Sequence, residues 1–169
     1  MDKETNLRGK KGIKKLREPV EEIKVCLFST SVHQNEWGAV RPMTALEIDD
    51  QGYIWFLSDI DSVKNGDIQK NNMVQLYFAH PGKNSYLIVN GEAKIITNQS
   101  KINDLWSPVG SIWFKNGKED KNITIIKVHI KNAYYWDVEG NKMVNCFKFI
   151  SSVVTGENKM DTQKGSIIP

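Results

Sequence analysis

The stretch from Met73 to Thr97 constrains the fold of this chain more than any other. Val74, Leu76 and Phe78 alternate with Met73, Gln75 and Tyr77, the period-two pattern of a strand with one buried face. His80-Pro81-Gly82-Lys83 then turns the chain, because proline presets φ and glycine accepts either sign of it, and Ser85 to Thr97 runs on extended. Two strands joined in this way pair as an antiparallel hairpin.

Other segments supply neighbours for that hairpin. Val25 to Ser31 is short and apolar and leads into a polar turn of His33, Gln34, Asn35, Glu36 and Gly38. Val40 to Asp49 reads as a second strand broken early by Pro42, which belongs at an edge or bulge because it cannot donate to a ladder. Asp49-Asp50-Gln51-Gly52 turns it into a third, Tyr53 to Ser58, so that Arg41 and Ser58 lie at the same end of adjacent strands. Ile123 to Ile130 alternates again, and Ala133 to Val138 continues extended. Lys10 to Lys24 differs, with Ile13, Leu16, Val20 and Ile23 at helical spacing and Pro19 at a boundary or kink. Ser62 to Asn71 and Lys101 to Phe114 show no alternation and read as helical or irregular connectors. Short strands with frequent turns predict a mainly β fold, a closed or nearly closed antiparallel barrel with flanking helices. One domain over residues 1–156 and a loose polar tail over 157–169 complete this reading.

At 169 residues such a domain buries roughly 70 % of the surface its unfolded form exposes and needs no staples. Cys26 and Cys146 lie in apolar stretches and read as free buried thiols of a reducing compartment. The polar, basic first residues lack the apolar core of a secretory signal, and no apolar run approaches the roughly 20 residues that cross a bilayer as a helix. A cytoplasmic location is expected. The net charge of +3 sits largely on Lys10, Lys11, Lys14, Lys15 and Arg17. Because the basic residues cluster on one helix and not along the aromatic strands, nucleic-acid binding is not expected.

The strongest chemical signal runs from Trp55 to Lys64, where an apolar strand ends in small hydroxyl and carboxyl side chains and leads into a helix start. Free backbone N–H groups collect there and attract anions. Lys64 in the first turn opposes the helix dipole, and a bound phosphate gives it a reason. The alternative is an ordinary cap by Ser62 or Asp61 with Lys64 in solvent. Arg41, at the proline-marked edge, can present its planar fork to a phosphate or ring carbonyl, or pair with Glu47. Trp106 and Trp113 lie outside regular strands and are candidate pocket walls or an interface. His33, His80 and His129 have no ligand spacing, and Asp59 and Asp61 read as caps before an acid–base pair. Nucleophile-elbow, phosphate-loop and dinucleotide motifs do not occur.

Six pieces occur in a telling order: Arg41-Pro42-Met43; Trp55-Phe56-Leu57-Ser58-Asp59 with Ser62-x-Lys64; Pro81 to Tyr86; Asn90-Gly91-Glu92-Ala93; Leu105 to Pro108; and Trp113-Phe114. From about Val25 to Thr155 the chain resembles the general stress protein 26 branch of the pyridoxamine 5′-phosphate oxidase-like, flavin-binding split barrels. The resemblance implies a six-stranded Greek-key split barrel and a homodimer with flavin mononucleotide (FMN) between subunits. It implies Arg41, Pro42 and Met43 beneath the flavin, Leu57 and Ser58 beside its ring, Lys64 at the phosphate, and Tyr86 near the flavin, where the oxidases place a glutamine. Ser62, Trp106 and Trp113 join this cofactor-binding set. Val63 stands where the oxidases carry a second basic residue, and Gly156 to Pro169 does not match their C-terminal region with its substrate-phosphate arginine. The expected function is therefore that of an FMN-dependent oxidoreductase other than a true pyridoxamine 5′-phosphate oxidase, or of a flavin-sequestering stress protein. The isoalloxazine would carry the redox chemistry, so no side-chain nucleophile is required.

Overall fold

The computed structural model describes residues 3–4, 7–30, 39–138 and 162–168. Helix α1 (Gly9–Ile23) buries the expected stripe of Ile13, Leu16 and Val20 and contains Pro19 in its last turns. It stops at Lys24, whose positive φ of 60° ends the helical run. Strands β1 (Lys3–Glu4) and β2 (Leu7–Arg8) precede it. The sheet continues with β3 (Val25–Thr30), β4 (Ala39–Thr44), β5 (Glu47–Ile48), β6 (Tyr53–Asp59), β7 (Met73–His80), β8 (Ser85–Ile96), β9 (Ile123–Val138) and β10 (Thr162–Ile168). Helices α2 (Val63–Lys70), α3 (Gln99–Leu105) and α4 (Pro108–Trp113) fill the two connectors.

Strands β5, β6, β9, β8, β7, β3 and β4 are neighbours in that order, each pair antiparallel. β7 and β8 form the expected antiparallel hairpin, with Ala79 opposite Tyr86. Ile123 to Val138 is one long strand, whose ladder with β8 skips Lys131 between the pairs Asn90↔Asn132 and Gly91↔Ile130. A Cβ on Gly91 would lie 2.7 Å from His129 O, so the bulge needs glycine.

Three expectations are corrected. Val40 to Asp49 is two strands, because the chain changes partners at Ala45 and Leu46: Ala45 N–H donates to Lys24 O at 2.7 Å and Leu46 N–H to Trp55 O at 2.9 Å. Arg41 therefore pairs along β3, opposite Phe28, and is not on a strand adjacent to Ser58. The sheet itself is the nearly closed, split barrel that was expected, since among the described residues no ladder joins β4 to β6. The split barrel is closed by side chains instead, with Phe28 of β3 and Phe56 of β6 meeting edge to face at 5.2 Å in the core. Finally, the tail is not loose throughout. Thr162–Ile168 pairs antiparallel with β9 and parallel with β1 and β2, and Ile167 is fully buried. The turn at His33 to Gly38 and Cys146 lie outside the described residues.

Candidate functional site

A cavity of about 680 Å³ occupies the gap between β4 and β6. Val25, Arg41, Pro42, Met43 and Thr44 form one wall, and Leu57, Ser58 and Asp59 face them from β6. Lys64 enters from α2, Leu46 from the crossover, and Val109, Gly110, Trp113 and Phe114 from α4 and its end. The volume lies within the range of small-molecule and cofactor sites. The edge of β4 turned away from β3 has no ladder partner among the described residues, so its backbone polar groups are available to a ligand.

Two cations share this space. Arg41 Nη1 donates to Thr30 Oγ1 at 2.7 Å, Thr30 Oγ1 donates to Asp67 Oδ2 at 2.7 Å, and Arg41 Nη2 lies 3.6 Å from the same carboxylate oxygen. Thr30 is fully buried, so Arg41 is anchored on its inner side. Its partner is Asp67 and not Glu47, which pairs with Lys101 at 2.7 Å. Lys64 is half-buried and, among the described residues, has no carboxylate within ion-pair distance. Burial first, and then the nearby Arg41 charge, push its ammonium below the ordinary lysine value, against a smaller opposing pull from Asp59. A half-buried lysine beside an arginine is an electrostatic cost that an anion would relieve.

Neither capping alternative is realised. Ser62 is the N-cap of α2 but makes no capping hydrogen bond, and its hydroxyl lies 3.2 Å from Ser58 Oγ. Asp59 Oδ1 accepts the Asp61 N–H at 2.8 Å and forms a turn before the helix. Val63 is exposed and lies outside the cavity lining.

Seven of the residues singled out from sequence therefore line one cavity: Arg41, Pro42, Met43, Leu57, Ser58, Lys64 and Trp113. Ser62 stands behind Ser58. Trp106 is not in the cavity lining; it packs against α4 and the core cluster that holds Phe114, its ring 3.0 Å from where a Cβ on Gly110 would be. Tyr86 is not brought to the cavity; it lies on the outer sheet face, opposite Ala79 and Trp136, and is 44 % exposed. Sequence reasoning missed Thr30, Asn65 and Asp67, although Asp67 sits one helical turn beyond Lys64 and offered a signal.

An open, largely antiparallel sheet with a cleft at the split between β4 and β6 defines the split-barrel class of folds. The Pyridoxamine 5′-phosphate oxidase like family matches residues 11–161, and the chain belongs to that family. No curated protein matches the chain. A Jannaschia sp. CCS1 protein, provisionally described as general stress protein 26, superposes with a TM-score of 0.70 at 17 % identity, covering 92 % of this chain and 97 % of its own. The general stress FMN/FAD binding protein of Xanthomonas citri gives a TM-score of 0.66 at 24 % identity over 78 % of this chain and 92 % of that one. General stress protein 26 of Bacillus anthracis str. Sterne gives 0.60 at 24 % identity over 71 % and 92 %. These likenesses establish the fold.

Proposed function

We propose that the chain binds FMN in the cavity between β4 and β6 and acts as a flavin-dependent oxidoreductase. The observation that carries this reading is Lys64, half-buried beside Arg41 and, among the described residues, without a carboxylate within ion-pair distance, at the polar end of a largely apolar cavity. Lys64, Arg41 and the uncapped start of α2 hold the phosphate. The free edge of β4 from Arg41 to Met43, together with Leu57, Ser58 and Trp113, holds the ring, and Ser62 and Trp106 support these from behind. Membership of the family and the FMN/FAD binding of the Xanthomonas citri relative support the choice of flavin. When bound, the flavin supplies the redox chemistry, while the protein orients it and shields one face.

The same reading makes the protein a homodimer. Pro42, Leu27, Tyr77, Ile88 and Tyr134 pair successively across five strands into one outward apolar row, and Leu27 and Tyr134 are 51 % and 47 % exposed. Val25 and Pro42 belong both to this face and to the cavity lining, so a second copy docked there covers the cavity. Tyr86 then belongs to the flavin site of the second copy.

One observation favours a second reading, a flavin-sequestering protein without turnover. The ionisable side chains of the lining are Arg41, Asp59 and Lys64, and the rest of the wall presents no proton donor of ordinary acid–base strength. Titration with FMN, read by loss of flavin fluorescence and gain in melting temperature, tests both readings, and absence of either change removes them. Reduction of the bound flavin by NADH or NADPH, followed by reoxidation in air, selects the enzyme.

A further inference from the structure

Helix α2 touches both sides of the split through different side chains. Asn65, 3 % exposed, faces β6 and β9: its Nδ2 donates to Thr124 Oγ1 at 3.0 Å and its Oδ1 accepts from Ser58 Oγ at 2.8 Å. Thr124 Oγ1 donates onward to Ser58 O at 3.1 Å, so its hydroxyl proton is used and it must accept from Asn65. That fixes the amide orientation, and Ser58 in turn must donate. Two residues further along, Asp67 faces the opposite side, accepting from Thr30 of β3 and lying beside Arg41 of β4. Lys64 projects between these two attachments into the cavity.

From this placement we infer that α2 is a polar clamp across the open sheet and that Asn65 and Asp67 are positioning residues for the anion end of the cavity. Asn65 holds the first turn of α2, and with it Lys64 and the free N–H groups, against β6. Asp67 and Thr30 hold the guanidinium of Arg41 at its distance from Lys64. Among the described residues no backbone ladder joins β4 to β6, so this side-chain relay takes its place at the phosphate end. A buried network with every member satisfied holds such geometry rigidly, whereas removing one member leaves the others unpaired. Pro42, Met43, Leu57 and α4, which build most of the ring end, lie outside these hydrogen bonds; Arg41 and Ser58 belong to both ends. The clamp rests on the flavin reading above and adds to it a division of labour within the site.

The test compares FMN with riboflavin, which lacks the phosphate, on wild-type protein and on Asp67→Ala, Asp67→Asn and Asn65→Ala. Loss of one such contact costs FMN affinity about tenfold in Asp67→Ala and Asn65→Ala, with a distinctly smaller loss for riboflavin, which meets Arg41 and Ser58 only through the ring. Asp67→Asn keeps an acceptor for Thr30 and restores most of the loss. Asp67 is partly exposed and its variants answer the question even where Asn65→Ala fails to fold. Equal losses for both ligands, or none for either, overturn the clamp while leaving FMN binding intact. Wild-type protein that binds neither ligand overturns the flavin reading and the clamp together.

Discussion

Gly12 of α1 and Ile167 of β10 pack so closely that a Cβ built on Gly12 would lie 2.6 Å from Ile167 Cγ2. Ile167 is fully buried, so this contact packs the start of α1 against the last described strand, beside the ladders that β10 makes with β1, β2 and β9. Gly12→Val drives a branched side chain into that space and is expected to cost about 1–3 kcal/mol of stability. Ile167→Val, which only trims the contact, costs less than about 1.5 kcal/mol. Denaturant unfolding of the two variants checks the order, and a Gly12→Val protein as stable as wild type removes the contact from the account.

Lys64→Ala is expected to weaken FMN by about tenfold and to leave riboflavin unchanged. The pH dependence follows from the ammonium being held below its ordinary value of 10.5. Phosphate needs the protonated form, so FMN affinity falls as pH rises through the lowered value, and Lys64→Arg, which stays charged, removes that part of the fall. Without ligand the sign reverses. Between the lowered value and 10.5 the unfolded chain holds the proton that the folded one has released, so stability rises with pH there, and Lys64→Met abolishes the rise. Fluorescence titration and thermal unfolding at stepped alkaline pH read the two effects.

Trp113 is 76 % exposed at the cavity rim. Trp113→Ala should change stability by less than about 0.5 kcal/mol, because little packing is lost. Its effect on FMN and riboflavin should be equal, because an aromatic wall meets the ring and not the phosphate. A selective loss of FMN would place Trp113 at the wrong end of the site.

Cys26 is buried, and burial pushes its thiol up to about 12. At pH 8 that leaves roughly one molecule in ten thousand as thiolate, the reactive form. In a Cys146→Ser background the native protein should resist a thiol reagent that reacts fully once the chain is unfolded in urea. Rapid native labelling would show that β3 opens.

Leu27→Asp combined with Tyr134→Asp places charges on the outer apolar row and should shift the protein from dimer to monomer in sedimentation. FMN affinity should fall with it, because the cover over Val25 and Pro42 is lost. A wild-type monomer that binds FMN at full strength would separate the site from the interface.

The local features were legible from sequence because local chemistry makes them. The 3.6-residue stripe of Ile13, Leu16 and Val20 gave α1, and the Asp49–Gly52 turn is held by Asp49 Oδ1, which accepts from Gln51 and Tyr53 N–H at 2.9 Å each. The partner change at Ala45 and Leu46 was not legible, because both halves are extended and only Lys24 and Trp55, distant in sequence, decide where the ladder breaks. β10 is polar from Thr162 to Ser166, so no apolar alternation announced a strand there. In the site, Arg41 and Lys64 could be named from their neighbours. Their arrangement could not, since Asn65 and Asp67 earn their places only through Thr124 and Thr30 on other strands.

The open sheet also sets an order of events. β4 pairs with the strand just before it, Val25 opposite Thr44, whereas β6, beyond its two-residue pairing with β5, is completed only by β9, with Tyr53 opposite His129. One lip of the cavity can form while the chain is still emerging from the ribosome; the other is completed only after residues far downstream have been made. A ligand of this cavity therefore cannot guide the early chain. It arrives at a nearly finished molecule and acts as a lock on it, raising the barrier to coming apart without hastening assembly.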